Sequence, residues 1–197
     1  MRQRLYVIYV PGVGDSKPDL QRKLVKTWNL WGVDAELFQI NWAENIAWDV
    51  KLSRLLNRID ELLSSNRKVA LVGASAGGSA VVNAYAARKN DISGIVTICG
   101  KLKNSSDIGP KYYNTNPPLV DSVAGSEKAL ASLTNQDKNR ILTRRALFDE
   151  VVTTKSDSMV VGANNQISPT AIHSLTIGFQ LIFGAPSFLR FLKHQNR

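Results

Sequence analysis

The run Gly73-Ala74-Ser75-Ala76-Gly77 sets a hydroxyl between two glycines at the spacing G-x-S-x-G. That five-residue pattern alone arises by chance in about one chain in fifteen of this length, so its flanks must carry the argument. Before it comes the apolar stretch Val69-Ala70-Leu71-Val72, and after it a run of small residues to Arg88. A strand turning sharply into a helix would hold Ser75 on strained backbone, with its hydroxyl at the positive end of the helix dipole. Side chains two positions before and after would strike neighbouring backbone, which explains Gly73 and Gly77. The chemistry such a turn serves is nucleophilic attack on a carbonyl. A phosphate-binding loop also joins a strand to a helix through glycines, but no Gly-Lys-Ser/Thr follows here.

A serine hydroxyl needs a general base to attack at neutral pH. The chain has two histidines. His194 lies in the basic stretch Lys193-His194-Gln195-Asn196-Arg197, expected to fray. His173 follows the last expected strand and starts a helix, where a loop could aim it at Ser75, so it is the candidate base. A carboxylate must then hold the imidazole in the right tautomer. Asp149, directly after the expected strand 140–148, would sit on the same sheet rim as Ser75, and Val151 and Val152 could pin its loop. Asp157 is the alternative acid, farther from that strand.

The intermediate of acyl transfer carries an oxyanion that needs two N–H donors. The backbone of Ala76 is one candidate. The other is Val13, in the glycine loop Val10-Pro11-Gly12-Val13-Gly14 after the first apolar run.

These residues require a scaffold, and the chain's periodicity supplies one. Residues 5–10 are continuously apolar, as in a strand buried on both faces. A helix is expected from Pro18 to Trp31, with Leu20, Leu24, Trp28 and Trp31 on one face, and a second strand from Asp34 to Trp42. Leu52, Leu55, Leu56, Ile59, Leu62 and Leu63 mark the buried face of a helix, with Lys51, Arg54, Arg58 and Glu61 on its polar side. Strands follow at 68–73 and 94–99. Lys101 to Pro118 reads as a polar loop and 121–133 as a helix. Strands at 140–148 and within 160–168 precede a helix over 172–183, which Pro186 should divide from a final basic turn. The alternation predicts a single α/β domain over 1–197, three layers deep, with a mostly parallel sheet of about six strands and helices on both faces.

With a serine turn, then Asp149, then His173 in chain order, the sequence resembles the α/β-hydrolase superfamily, specifically its small esterase- and lipase-like members. The resemblance spans Leu5 to Leu192 and lacks the first two strands of the full fold, because the oxyanion loop follows the first strand. Pro11 stands where histidine is common in that loop. The resemblance implies hydrolysis of an ester, thioester or amide through an acyl-enzyme, with no cofactor. It also places a cap or lid over about 101–138, where Tyr112, Tyr113 and Leu119 could shape an acyl pocket; an ordinary surface loop and helix is the plainer alternative.

Composition sets the remaining bounds. The chain has 197 residues, 44% hydrophobic and 21% charged, ordinary for a soluble domain. Cys99 is its lone cysteine, so an internal disulfide is impossible; inside an apolar run it reads as a packed small hydrophobe. With two histidines and one cysteine a zinc site is not expected. Net charge is +9 at pH 7, yet the basic residues are scattered from Arg22 to Lys193, which predicts a basic surface and no nucleic-acid partner. The apolar run at 5–10 is too short for a signal peptide, and 172–192 holds His173, Gln180, Pro186 and Arg190, a poor membrane span. The expectation is a cytoplasmic protein without integral membrane association, acting on a small acyl ester. An acyltransferase, or an inactive binding module on the same scaffold, are the alternatives.

Overall fold

Successive residues of a strand face opposite sides, so a sheet covered on both faces needs apolar residues of both parities. In the computed structural model, which describes residues 4–195, every strand but the two outermost is built that way. Strands β1 (Leu5–Val10), β2 (Asp34–Leu37), β3 (Lys68–Ala74), β4 (Ile92–Ile98), β5 (Ile141–Arg145) and β6 (Asn164–Ile167) form one parallel sheet ordered β2-β1-β3-β4-β5-β6. Ile8, Val10, Val69 and Leu71 belong to one hydrophobic layer; Val7, Tyr9, Ala70 and Val72 belong to the other.

Helices α2 (Trp48–Ser64), α3 (Ala76–Ala87) and α5 (Pro118–Ser132) cover the first face. The opposite face carries α1 (Asp19–Lys26), a 3₁₀ turn at Thr27–Trp31, and α7 (His173–Phe179) running into α8 (Ala185–His194). Two short helices, α4 (Pro110–Thr115) and α6 (Asn135–Lys138), lie in the connections. After β1 the chain adds β2 on one side and then β3 on the other, with Val10 level with Gly73. Strand order reverses at this point, and the carboxyl ends of β1 and β3 open a crevice there.

The three-layer α/β architecture matches the sequence expectation, with several local differences. Strand β2 stops at Leu37, short of Trp42, and the chain beyond it bends at Asn41, which takes a left-handed φ of 58°. The Asp15 carboxylate holds that bend, accepting the Asn41 amide at 2.7 Å and the Trp42 amide at 3.2 Å. The first helix tightens into its 3₁₀ turn after Lys26; Trp28 is buried, while Leu20 and Trp31 are exposed. Lys51 is buried instead of solvated: it lies one turn before Leu55 on the inner row, and its ammonium donates to the Asn41 carbonyl at 2.6 Å. The expected loop 101–118 contains a 3₁₀ turn at Ser105–Asp107 and helix α4, whose first position, Pro110, has φ already suited to a helix. Helix α5 packs on α3, where the Ser79 and Ser122 hydroxyls meet at 2.7 Å.

Pro186 does not divide the C-terminal helix. A π turn at Gln180–Gly184 carries α7 into α8, and Pro186 is accommodated in the turn that follows it. His194 is the exposed last residue of α8. By length and composition, His173–His194 is apolar enough to cross a membrane, with mean hydropathy 1.4, but Phe188, Leu189 and Leu192 are buried against the sheet.

Candidate active site

The turn from β3 into α3 is as tight as its glycines imply. A Cβ on Gly73 would lie 2.2 Å from the Gly77 carbonyl oxygen, and one on Gly77 would lie 2.1 Å from that of Val10. Neither position admits another residue without moving backbone. Ser75 adopts φ 52°, ψ −121°, a conformation that costs a side-chain-bearing residue about 1–3 kcal/mol. Its amide donates to the Ile98 carbonyl at 2.9 Å, and its carbonyl accepts from Gly78 at 2.9 Å and Lys101 at 3.2 Å. Gly12 fits against it from the β1 loop: a Cβ there would stand 2.7 Å from that of Ser75.

Ala76 opens α3, where the first amides have no acceptor within the helix. Val13 and Ala76 line a cavity with Ser75. The Pro11 carbonyl accepts a hydrogen bond from the Trp42 indole at 3.1 Å.

His173 and Asp149, twenty-four positions apart in the chain, meet in the fold. Nδ1 of His173 lies 2.8 Å from Asp149 Oδ1 and 3.0 Å from Oδ2. The same Oδ1 accepts the amides of Val152 at 2.8 Å and Val151 at 3.1 Å, an Asx-type turn that fixes the carboxylate. Burial pushes the Asp149 carboxyl up, but the hydrogen bonds from His173 and the two valine amides outweigh it and hold it below the ordinary carboxylate range. The backbone amide of His173 donates to Glu150 at 2.9 Å. Asp157 does not join this pair; it is buried and bonded to Lys101 and Asn104. With Nδ1 committed to Asp149, Nε2 is the ring nitrogen left for chemistry. No hydrogen bond joins it to the Ser75 hydroxyl among the described residues, but both side chains line one cleft.

Cys99 is a third member of this cluster that the sequence did not reveal. Its sulfur, the Asp149 carboxylate and a His173 ring nitrogen lie within 4.8 Å of one another. Burial pushes its thiol up to about 12, with the Asp149 charge adding to the effect. This is the one such trio among the described residues that could hold a metal ion. Its carboxylate and imidazole are already bonded to each other, which favours an organised base over a metal centre. Lys101, Asn104 and Glu150 were equally silent in sequence, since nothing in their spacing marks the partners the fold gives them.

Two cavities share Ser75. One, of about 130 Å³, runs toward α4 and includes Ala76, Gly109, Leu119 and Thr154. The other, of about 370 Å³, runs between α1 and α7 and includes Leu20, Leu24, His173, Ile177, Gly178 and Leu181. Val13, Tyr112 and Val151 line both.

Neither a family model nor a curated protein matches the chain by sequence. Solved structures do match it in shape. One of two metagenome-derived lipolytic enzymes superposes with a TM-score of 0.68 at 14% identity, over 98% of this chain and 94% of that one. Dienelactone hydrolase from Anabaena variabilis gives 0.67 at 18%, over 98% and 87%. A haloalkane dehalogenase mutant from Agrobacterium tumefaciens gives 0.67 at 13%, over 98% and 91%. At such identities the likeness is one of fold.

Proposed function

We propose that this chain, which has the α/β-hydrolase fold, cleaves carboxylic esters or thioesters through an acyl-enzyme on Ser75. The observation that carries the reading is the His173–Asp149 pair in the cleft that also holds a strained Ser75. Fold neighbours that are lipolytic enzymes and hydrolases add support at the level of reaction class.

In this reading Ser75 Oγ attacks the carbonyl carbon as its proton passes to His173 Nε2. The carbonyl π pair moves onto oxygen, and the oxyanion takes hydrogen bonds from the Val13 and Ala76 amides. When the intermediate collapses, His173 gives the proton to the departing alkoxide or thiolate, leaving an ester on Ser75. Water then repeats the sequence, with His173 again as base, and releases the acid. Asp149 keeps Nδ1 protonated and stabilises the imidazolium throughout.

The test joins labelling to turnover. A fluorophosphonate probe should modify Ser75, and Ser75→Ala should lower hydrolysis of a short p-nitrophenyl ester by about 10³-fold or more. Equal turnover in that variant overturns the assignment.

A further inference from the structure

The two cavities that meet at Ser75 differ in size and in which catalytic groups they contain, and this difference assigns a direction to the substrate. Resting on the ester-cleaving reading, we infer that the larger cavity takes the alcohol and the smaller one the acyl group, so the preferred substrates are short-chain acyl esters of long apolar alcohols. His173 lines the larger cavity and is absent from the smaller. The proton it carries must reach the departing oxygen, so the leaving group lies on its side of Ser75. Ala76 lines the smaller cavity and is absent from the larger, so the carbonyl oxygen points toward that side, and the acyl chain takes the space that the departing alcohol does not.

Volume then sets the chain lengths. The larger cavity, at about 370 Å³, has nearly three times the room of the smaller, at about 130 Å³. A short acyl group such as acetyl or butyryl is therefore assigned to the first and a longer chain such as octyl to the second. Leu20, Leu24, Ile177 and Leu181 give the larger cavity an apolar wall, and Leu20 is 70% exposed at its mouth, unpaired by the rest of the fold. Thr153, Thr154 and the Lys101–Asp157 pair make the smaller cavity more polar.

Each cavity has a glycine with room for a side chain. A Cβ on Gly178 in the larger cavity or on Gly109 in the smaller would meet no atom within 4 Å, and neither glycine has a positive φ. Leucine at either site therefore adds bulk beside its cavity without opposing the backbone.

Octyl acetate and ethyl octanoate are isomers that differ only in which side of the ester carries the long chain. The wild-type protein should show kcat/KM for octyl acetate about tenfold or more above that for ethyl octanoate. Gly178→Leu should lower that ratio by about tenfold, and Gly109→Leu should not lower it. Thermal melts of both variants check that the fold is kept. Equal rates, the reverse preference, turnover of neither isomer, or a ratio indifferent to Gly178→Leu would each overturn the assignment. Fluorophosphonate labelling separates the two levels of failure: if Ser75 labels, only the direction of binding is wrong, and if it does not, the serine-hydrolase reading falls with it.

Discussion

The Ser75 turn and the His173–Asp149 pair are held by different forces. Around Ser75 the constraint is steric: two glycines stand where a methyl group would come within 2.2 Å of backbone oxygen, and the serine is locked at a positive φ. The carboxylate sits on the connection after β5 and the imidazole at the start of α7, and hydrogen bonds hold them: two amides on Asp149, the Glu150 carboxylate on the His173 backbone, and the bond between imidazole and carboxylate. Half of the site is thus fixed by volume and half by electrostatics. The first half should be intolerant of added atoms and indifferent to pH, the second the reverse.

The largest expected effect breaks the steric half. Gly77→Ala sets a methyl 2.1 Å from the Val10 carbonyl oxygen and should cost more than about 4 kcal/mol, leaving little folded protein by thermal melt or soluble yield. A native-like melting curve would show the turn to be softer than its geometry. On the other side, Asp149→Asn adds no volume and should fold, but with Nδ1 facing an amide, kcat should drop about 10³–10⁴-fold.

The same variant sharpens the contrast through pH. The folded Asp149 carboxyl titrates below its unfolded range, so its contribution to stability is present above that range and is lost as pH falls through the folded value. Wild type and Asp149→Asn should therefore differ most in melting temperature near neutral pH and converge below about pH 4. A gap that widens on acidification contradicts the sign. Glu150→Gln, at an exposed position, keeps an acceptor for the His173 amide and should slow turnover by less than about tenfold. The smallest effect is expected at Cys99. With its thiol raised to about 12 and fully buried, alkylation by iodoacetamide at pH 7 should be negligible until denaturant is added.

How far the sequence revealed this site follows the same division. The elbow was legible because strand, turn and helix are contiguous, and steric demand is written into Gly73 and Gly77. Asp149 could be placed because it follows a strand, although β5 ends at Arg145 and not at Phe148 as expected, and His173 because only two histidines compete. Lys51 was misread as solvated, since four-residue spacing from Leu55 marks a buried row only once the row's partner is known. Cys99 read as plain core; its closeness to Asp149 and His173 arises from the pairing of β4 with β5, which local periodicity does not encode. The two cavities were invisible for the same reason, being spaces between α1, α4 and α7 that only tertiary packing defines.

The π turn between α7 and α8 adds a rotational offset to a single rod. Arg144 and Gln180 brace it from within, and Gly184 leaves room for the Gln180 amide. Beyond it, Phe188 and Leu192 anchor α8 in the core; before it, His173 reaches the cleft. One residue removed from 181–183 would leave the anchor seated and twist the other end by about 100°, swinging the imidazole off target. The compass bearing of the His173 ring is thus stored eight to ten residues downstream of it, in the phase of a helix.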